Sequence, residues 1–252
     1  MRIITALILI PFIAWVTLAA PVWVFFAVLA ITGLLAYSEF DNIAAANGIA
    51  RAGLPGMAAG LVLLLAPNAA VVVVLIVMLG MVLALRVNNL AASLPAAGAF
   101  ALGVVYVFGA WRCAADLRVL NPHWLLFAML LSWAGDTAAL YVGKAFGKHK
   151  MAPKVSPGKS WEGAAGSVAG AMLVGGIYAH YLIPQAPLGL ALALAAAGNM
   201  AGQLGDLCES AMKRGAGVKD SGTLLPGHGG WLDRIDSSLF SVPVVYALLK
   251  LF

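Results

Sequence analysis

The sequence predicts an all-α, polytopic integral membrane protein, and three observations carry that expectation. Of its 252 residues, 63% are hydrophobic and 10% are charged, where a soluble domain carries about 25% charged residues. Apolar runs of spanning length recur from one end of the chain to the other, a span needing about 20 such residues at 1.5 Å rise each. The polar residues are concentrated after residue 130. An apolar surplus of this size, with a mean hydropathy of +0.97, cannot be hidden in one water-soluble core, so the solvent is a bilayer.

Taken in order, the runs predict about nine transmembrane helices, at 2–20, 22–37, 54–66, 69–86, 94–110, 122–143, 161–183, 187–213 and 233–251. The first follows a single arginine and ends in small residues, like a signal peptide, but it is long enough to span and more spans follow, so it is read as uncleaved. Prolines 21, 55, 67, 95, 122, 184 and 187 fall at helix starts or in turns, where the missing N–H costs least. Pro11 and Pro243 fall inside spans and predict kinks. The stretch SEFDNIAAANGIARAG, after the second span, is too polar to cross and reads as an interfacial helix or plain connector. Residues 1–118 form an N-terminal scaffold whose glycines and alanines suit close helix contact, and residues 119–252 form the C-terminal catalytic region. Cys113 and Cys208 sit in unlike settings and suggest neither a disulfide nor a metal pair.

Lysine and arginine counts orient the chain. With the N-terminus inside, twelve of the fifteen basic residues fall on the inner side, and only Arg112, Arg118 and Lys250 fall outside. Both polar loops, 144–160 and 215–232, are then cytoplasmic and free to meet at a cytoplasm-facing polar cavity. The net charge of +5 fits cytoplasmic loops and anionic headgroups. No basic, aromatic-interleaved soluble face exists, so nucleic acid is not an expected partner. A bacterial inner membrane is the expected location.

Three groups of residues carry chemistry. The eighth span ends in a stripe of Asn199, Gln203, Asp206, Ser210 and Lys213, whose steps of 4, 3, 4 and 3 place all five on one helix face. Emergence from the membrane accounts for Ser210 and Lys213, but Asp206 lies deeper and needs a cation or a hydrogen-bonding partner. The ninth span opens with Asp233 and Asp236, three apart on one face. Capping of a helix N-terminus explains one acid; two, preceded by His-Gly-Gly, read better as oxygen ligands to a hard divalent ion. Ser132 and Asp136 share a face of the sixth span, where Asp136 is either hydrogen-bonded locally or a further ligand. Against these acids stands the basic loop with Lys144, Lys148, Lys150, Lys154 and Lys159, whose Ser156-Pro157-Gly158-Lys159 turn feeds a helix start in a phosphate-binding manner. It is not a P-loop, since Pro153 stands where that pattern needs glycine. Carboxylates for a metal, lysines for a polyphosphate and access to both cytosol and lipid point to phosphoryl or nucleotidyl transfer onto a lipid.

The stretch from Ser210 to Asp236 also resembles the signature of the phosphatidate cytidylyltransferases, or CDP-diacylglycerol synthases. Ser210, Met212, Lys213, Arg214, Lys219, Asp220, Gly222, Leu225, Pro226, His228, Gly229, Gly230, Asp233, Arg234, Ile235 and Asp236 match it. Trp231 departs, standing where the family has a smaller apolar residue. Ser156 to Glu162 is similar to the family's second cytoplasmic motif and Asp136-Thr137 to its intramembrane aspartate, so the likeness covers roughly residues 125–240. It implies CTP plus phosphatidate giving CDP-diacylglycerol plus pyrophosphate, by in-line attack of the lipid phosphate on the α-phosphorus. It also implies Mg2+, paired with a monovalent cation such as K+, at Asp206 and Asp233, with Asp136 and Asp236 in support. Catalytic roles fall to Asp206, Asp233, Lys213 and Arg214. Substrate-binding roles fall to Ser156, Lys159, Ser210, Lys219, Asp220, His228 and Arg234, although His228 reads equally as a loop histidine ordered by its glycines. The family is homodimeric, which implies the same here. Two rival classes share parts of the pattern: a CTP-dependent kinase of polyprenol or another lipid alcohol, and an ion-coupled transporter, for which the long 215–232 loop has no use.

Overall fold

The computed structural model describes residues 2–224 and 229–251, with side chains from residue 9 onward. Helices dominate it: α1 (Arg2–Leu18), α2 (Val22–Ala46), α3 (Leu54–Leu65), α4 (Ala69–Ala84), α5 (Ser93–Val104), α6 (Ala110–Leu120), α7 (Pro122–Phe146), α8 (Trp161–Leu182), α9 (Leu188–Gly215), the single turn α10 (Leu232–Ile235) and α11 (Ser238–Leu251). Among the described residues, four helices are long and apolar enough to cross a membrane: Val22–Ala46, Leu90–Leu120, Pro122–Phe146 and Leu188–Gly215. Leu9–Leu18, Leu54–Leu65 and Ala69–Ala84 are shorter apolar helices.

Three local features differ from the sequence expectation. Helix α2 continues through the polar Ser38–Ala46, because its acids find partners outside the helix, described below. The fifth span does not stop near residue 110: a 310 turn at Leu90–Ala92 and a π turn at Val105–Gly109 link α5 and α6 into one 31-residue helix. The basic loop is a hairpin, β1 (Lys150–Ala152) antiparallel to β2 (Ser156–Ser160). Helical periodicity cannot announce a strand pair this short.

By contact the chain forms two compact units. The first takes Met1–Phe25, Cys113–Ala211 and Ile235–Phe252. Its core holds Leu125, Phe127, Leu131, Ala195, Val242 and Val245, all 2% exposed or less. Helices pack closely here because glycines let them: a Cβ at Gly198 would lie 2.8 Å from both Leu131 and Val245. Arg118 donates from Nε to the Thr17 carbonyl (2.9 Å) and from its guanidinium to Ala20, and lies 4.3 Å over the Phe25 ring. It thus satisfies carbonyls left open at the end of α1.

The second unit takes Phe26–Arg112 and Met212–Arg234. Tyr37, Leu63, Leu64 and Phe108 are 1% exposed or less. The π turn aims Phe108 at Gly60, where a Cβ would fall 2.1 Å from the ring. Arg112 donates to the carbonyls of Leu64 and Ala66 and so closes the end of α3. Asp41 accepts the N–H groups of Ala52 (2.9 Å) and Gly53 (3.0 Å), fixing the turn that starts α3. Two of the arginines expected outside therefore do structural work at helix ends.

Candidate active site

In the first unit the hairpin is clamped by Glu162, in the first turn of α8. Its carboxylate accepts the backbone N–H groups of Lys148 and His149, and pairs with the His149 ring at 2.6 Å. Ser160 caps α8 by accepting the Gly163 N–H at 3.1 Å. Ser156 and Lys159 lie on β2, and the hairpin brings Lys159 Nζ to 2.6 Å from Asp206 Oδ2. Ser210 donates to Asp206 Oδ1 at 3.3 Å, one turn along α9. Deeper on the same face, Gln203 donates to Asn199 (2.8 Å) and to the Ala164 carbonyl (3.3 Å), and Asn199 donates to the Leu131 carbonyl (3.1 Å). The polar stripe therefore binds α9 to α7 and α8 at one end and offers its acid at the other.

A cavity of about 240 Å³ opens in this unit, lined by Asp136, Lys159, Ser160, Ser167 and Gln203 among others. Ser167 is 1% exposed, and its hydroxyl has no hydrogen-bond partner among the described residues. A buried hydroxyl facing a polar cavity is fitted to receive a ligand oxygen. Asp236 is buried before α11 and accepts the Ser237 N–H at 2.6 Å. It feels the charges of Asp206, Glu209 and Asp136. Glu209, fully buried on α9, is a member of this acid group that the stripe did not include.

The second unit holds the other predicted residues. Lys213 Nζ donates to Asp233 Oδ1, and Asp233 Oδ2 accepts the N–H groups of Gly230 (2.7 Å) and Ser221 (3.0 Å). Both side chains are buried, at 9% and 6% exposure. Arg214 Nη1 donates to the Val218 carbonyl at 3.0 Å, closing the turn after α9. Lys219, Asp220 and Arg234 are exposed. His228, with Leu225 and Pro226 of the signature, lies outside the described residues.

A second residue, besides Glu209, escaped the sequence reading. Glu39, buried on α2, accepts bonds from the Ser221 hydroxyl (2.7 Å), the Trp231 N–H (2.9 Å) and the Leu232 N–H (2.8 Å). Its signal was visible: an ionisable group near the end of an apolar helix needs a partner, and its own helix supplies no cation nearby.

The donors in the first unit are all carboxylate oxygens, the chemistry that hard cations select. Among the described residues, no three candidate ligands close on one point as a cage.

Comparison with known proteins places the chain among relatives of one family. A family model described as "Cytidylyltransferase family" matches residues 1–252. A phosphatidate cytidylyltransferase of Haemophilus influenzae is 42% identical over 153 residues, 58% of this chain and 53% of that protein. One from Bacillus subtilis is 40% identical over 160 residues, 62% of this chain and 59% of that protein. One from Staphylococcus aureus is 34% identical over 242 residues, 87% of each chain. The matched stretch thus spans little more than half the length of the first two relatives. With a family model matched from end to end, the chain belongs to the cytidylyltransferase family.

Proposed function

We propose that this protein transfers the cytidylyl group of CTP to phosphatidate, giving CDP-diacylglycerol and pyrophosphate. The observation that carries the reading is the pairing of Lys213 with Asp233 inside a cradle of backbone N–H groups, on the stretch that matches the signature. A phosphate oxygen of the lipid attacks the α-phosphorus of CTP, the bond from that phosphorus to the bridging oxygen breaks, and pyrophosphate leaves with that oxygen. No protein nucleophile is needed; positioning and charge neutralisation supply the catalysis. Lys159, on a hairpin held by Glu162, and Ser156 bind phosphate oxygens, as do Lys213, Arg214 and Lys219. Ser210 orients Asp206. Asp220, His228 and Arg234 complete the substrate contacts.

Magnesium is assigned to Asp206 and Asp236 with Asp136 in support; Asp233, which the resemblance also offers as a ligand, has its two oxygens taken by Lys213 and by the Ser221 and Gly230 N–H groups and serves instead to align its loop. Bound there, the ion would neutralise triphosphate charge, and a monovalent cation would balance the remaining acids. The active site faces the cytoplasm from a bacterial inner membrane, and the protein works as a homodimer.

The test follows label from α-labelled CTP into the organic phase with phosphatidate and magnesium, for wild type beside Asp233→Asn. Phosphatidate-dependent label in lipid with wild type alone supports the reading. Transfer from γ-labelled CTP to polyprenol instead would make the protein a lipid-alcohol kinase. A fully active Asp233→Asn would remove that aspartate from the site.

A further inference from the structure

We infer that Glu39 is a positioning residue for the reaction: a tether from α2 that sets the backbone cradle holding Asp233. The inference rests on the proposed function for its kinetic consequences, and on geometry alone for the tether.

Glu39 is 7% exposed, and a buried carboxylate is expensive unless hydrogen bonds replace its water. Oε1 accepts the Trp231 N–H at 2.9 Å; Oε2 accepts the Leu232 N–H at 2.8 Å and the Ser221 hydroxyl at 2.7 Å. No lysine or arginine pairs with it among the described residues, so neutral donors from one loop satisfy the charge. Two of those donors adjoin Asp233, and the third, on Trp231, adjoins Gly230, which also bonds its carboxylate. Ser221 gives its N–H to Asp233 Oδ2 and takes the Asp233 N–H on its own hydroxyl oxygen at 3.3 Å. Trp231 and Leu232 separate Asp233 from Gly230, whose N–H is the second donor to Oδ2. The chain of bonds runs from Glu39 through Ser221 to both the backbone and the side chain of Asp233. The loop also lies against the carboxylate: a Cβ at Gly222 would fall 2.5 Å from Oε1, and one at Gly230 2.4 Å from Oε2 and 2.0 Å from the Ser221 hydroxyl. Glycine at both positions is thus a condition of the tether.

The geometry makes the charge itself testable. Each oxygen of Glu39 faces a backbone N–H, and a backbone N–H cannot reverse. An amide in its place must aim NH2 at Trp231 N–H in one orientation and at Leu232 N–H in the other. Glu39→Gln, nearly identical in shape, therefore breaks the tether in either orientation. Leaving a buried donor unmet costs about 1–3 kcal/mol, about 5- to 150-fold.

The experiment compares wild type, Glu39→Gln and Ser221→Ala, each as full-length protein in detergent, by amide hydrogen exchange, thermal midpoint and steady-state kinetics. Expected for Glu39→Gln is exchange at least tenfold faster in segment 219–234, with the helices of the first unit unchanged. Its kcat/KM for CTP should fall at least tenfold while KM for phosphatidate stays within twofold. Ser221→Ala removes one donor of three, tolerates folding better, and should show the same pattern at a few-fold. If exchange in 219–234 matches wild type in both variants, the tether is wrong whatever the enzyme does. If exchange rises but kcat/KM stays within twofold, Glu39 is a structural group without a role in positioning. Loss of activity in step with exchange and melting throughout the molecule would overturn it equally. Should the wild type not transfer cytidylyl groups at all, the exchange arm still decides the tether, separately from the proposed function.

Discussion

Each unit of the molecule holds an aspartate paired with a lysine, and the two pairs are built differently. Asp206 and Lys159 are 32% and 27% exposed, the lysine sits on a two-stranded hairpin, and one hydroxyl assists. Asp233 and Lys213 are 6% and 9% exposed, and two backbone N–H groups occupy the second carboxylate oxygen. A part-exposed pair is worth about 0–1 kcal/mol and can exchange partners when a phosphate arrives. Breaking a buried pair from one side costs about 3–5 kcal/mol, because a charge is left without compensation. The first pair is the easier to open and the second the harder, a difference that under the proposed function suits substrate capture and alignment respectively.

The largest expected effect breaks the fixed pair. Asp233→Asn should abolish lipid labelling and lower unfolding stability by about 3–5 kcal/mol, since Lys213 loses its countercharge; denaturant titration in detergent reads the second quantity. Next, Gly230→Ala places a methyl group against Ser221 and Glu39. Overpacking there should cost about 1–3 kcal/mol and at least tenfold in kcat/KM, measured by the labelling assay. Breaking the open pair should separate activity from stability. Lys159→Ala is expected to raise KM for CTP about tenfold, a loss of ~1.4 kcal/mol of binding, with stability changed by less than about 1 kcal/mol. A stability loss as large as that of Asp233→Asn would erase the distinction between the pairs. Smallest is Lys154→Ala, between the hairpin strands and exposed. It should stay within about 0.5 kcal/mol and within twofold in activity, showing that basic charge on the hairpin is not enough without a partner.

The stripe on α9 was readable because helical spacing alone assigns a face, and the hydrogen bonds of Asn199, Gln203 and Ser210 lie along it. The hairpin was not, because three residues of strand leave no periodic trace. Glu39 and Ser221 are 182 positions apart, and no local pattern links an acid in an apolar helix to a glycine-rich loop. The span expected at 94–110 runs from Leu90 to Leu120 as one helix, which apolar run length does not announce because the stretch after residue 110 carries Arg112, Asp116 and Arg118. In the fold, Arg112 closes the end of α3.

What the sequence determined by itself was the solvent, the helical class and the residues that carry charge into it, because hydropathy and spacing are properties of single segments. Which aspartate meets which lysine, which pair is buried and which stays open, and which distant carboxylate orders the loop were decided only by tertiary structure. Hydrogen bonds and burial depend on distances between segments, and those exist only once the helices have packed.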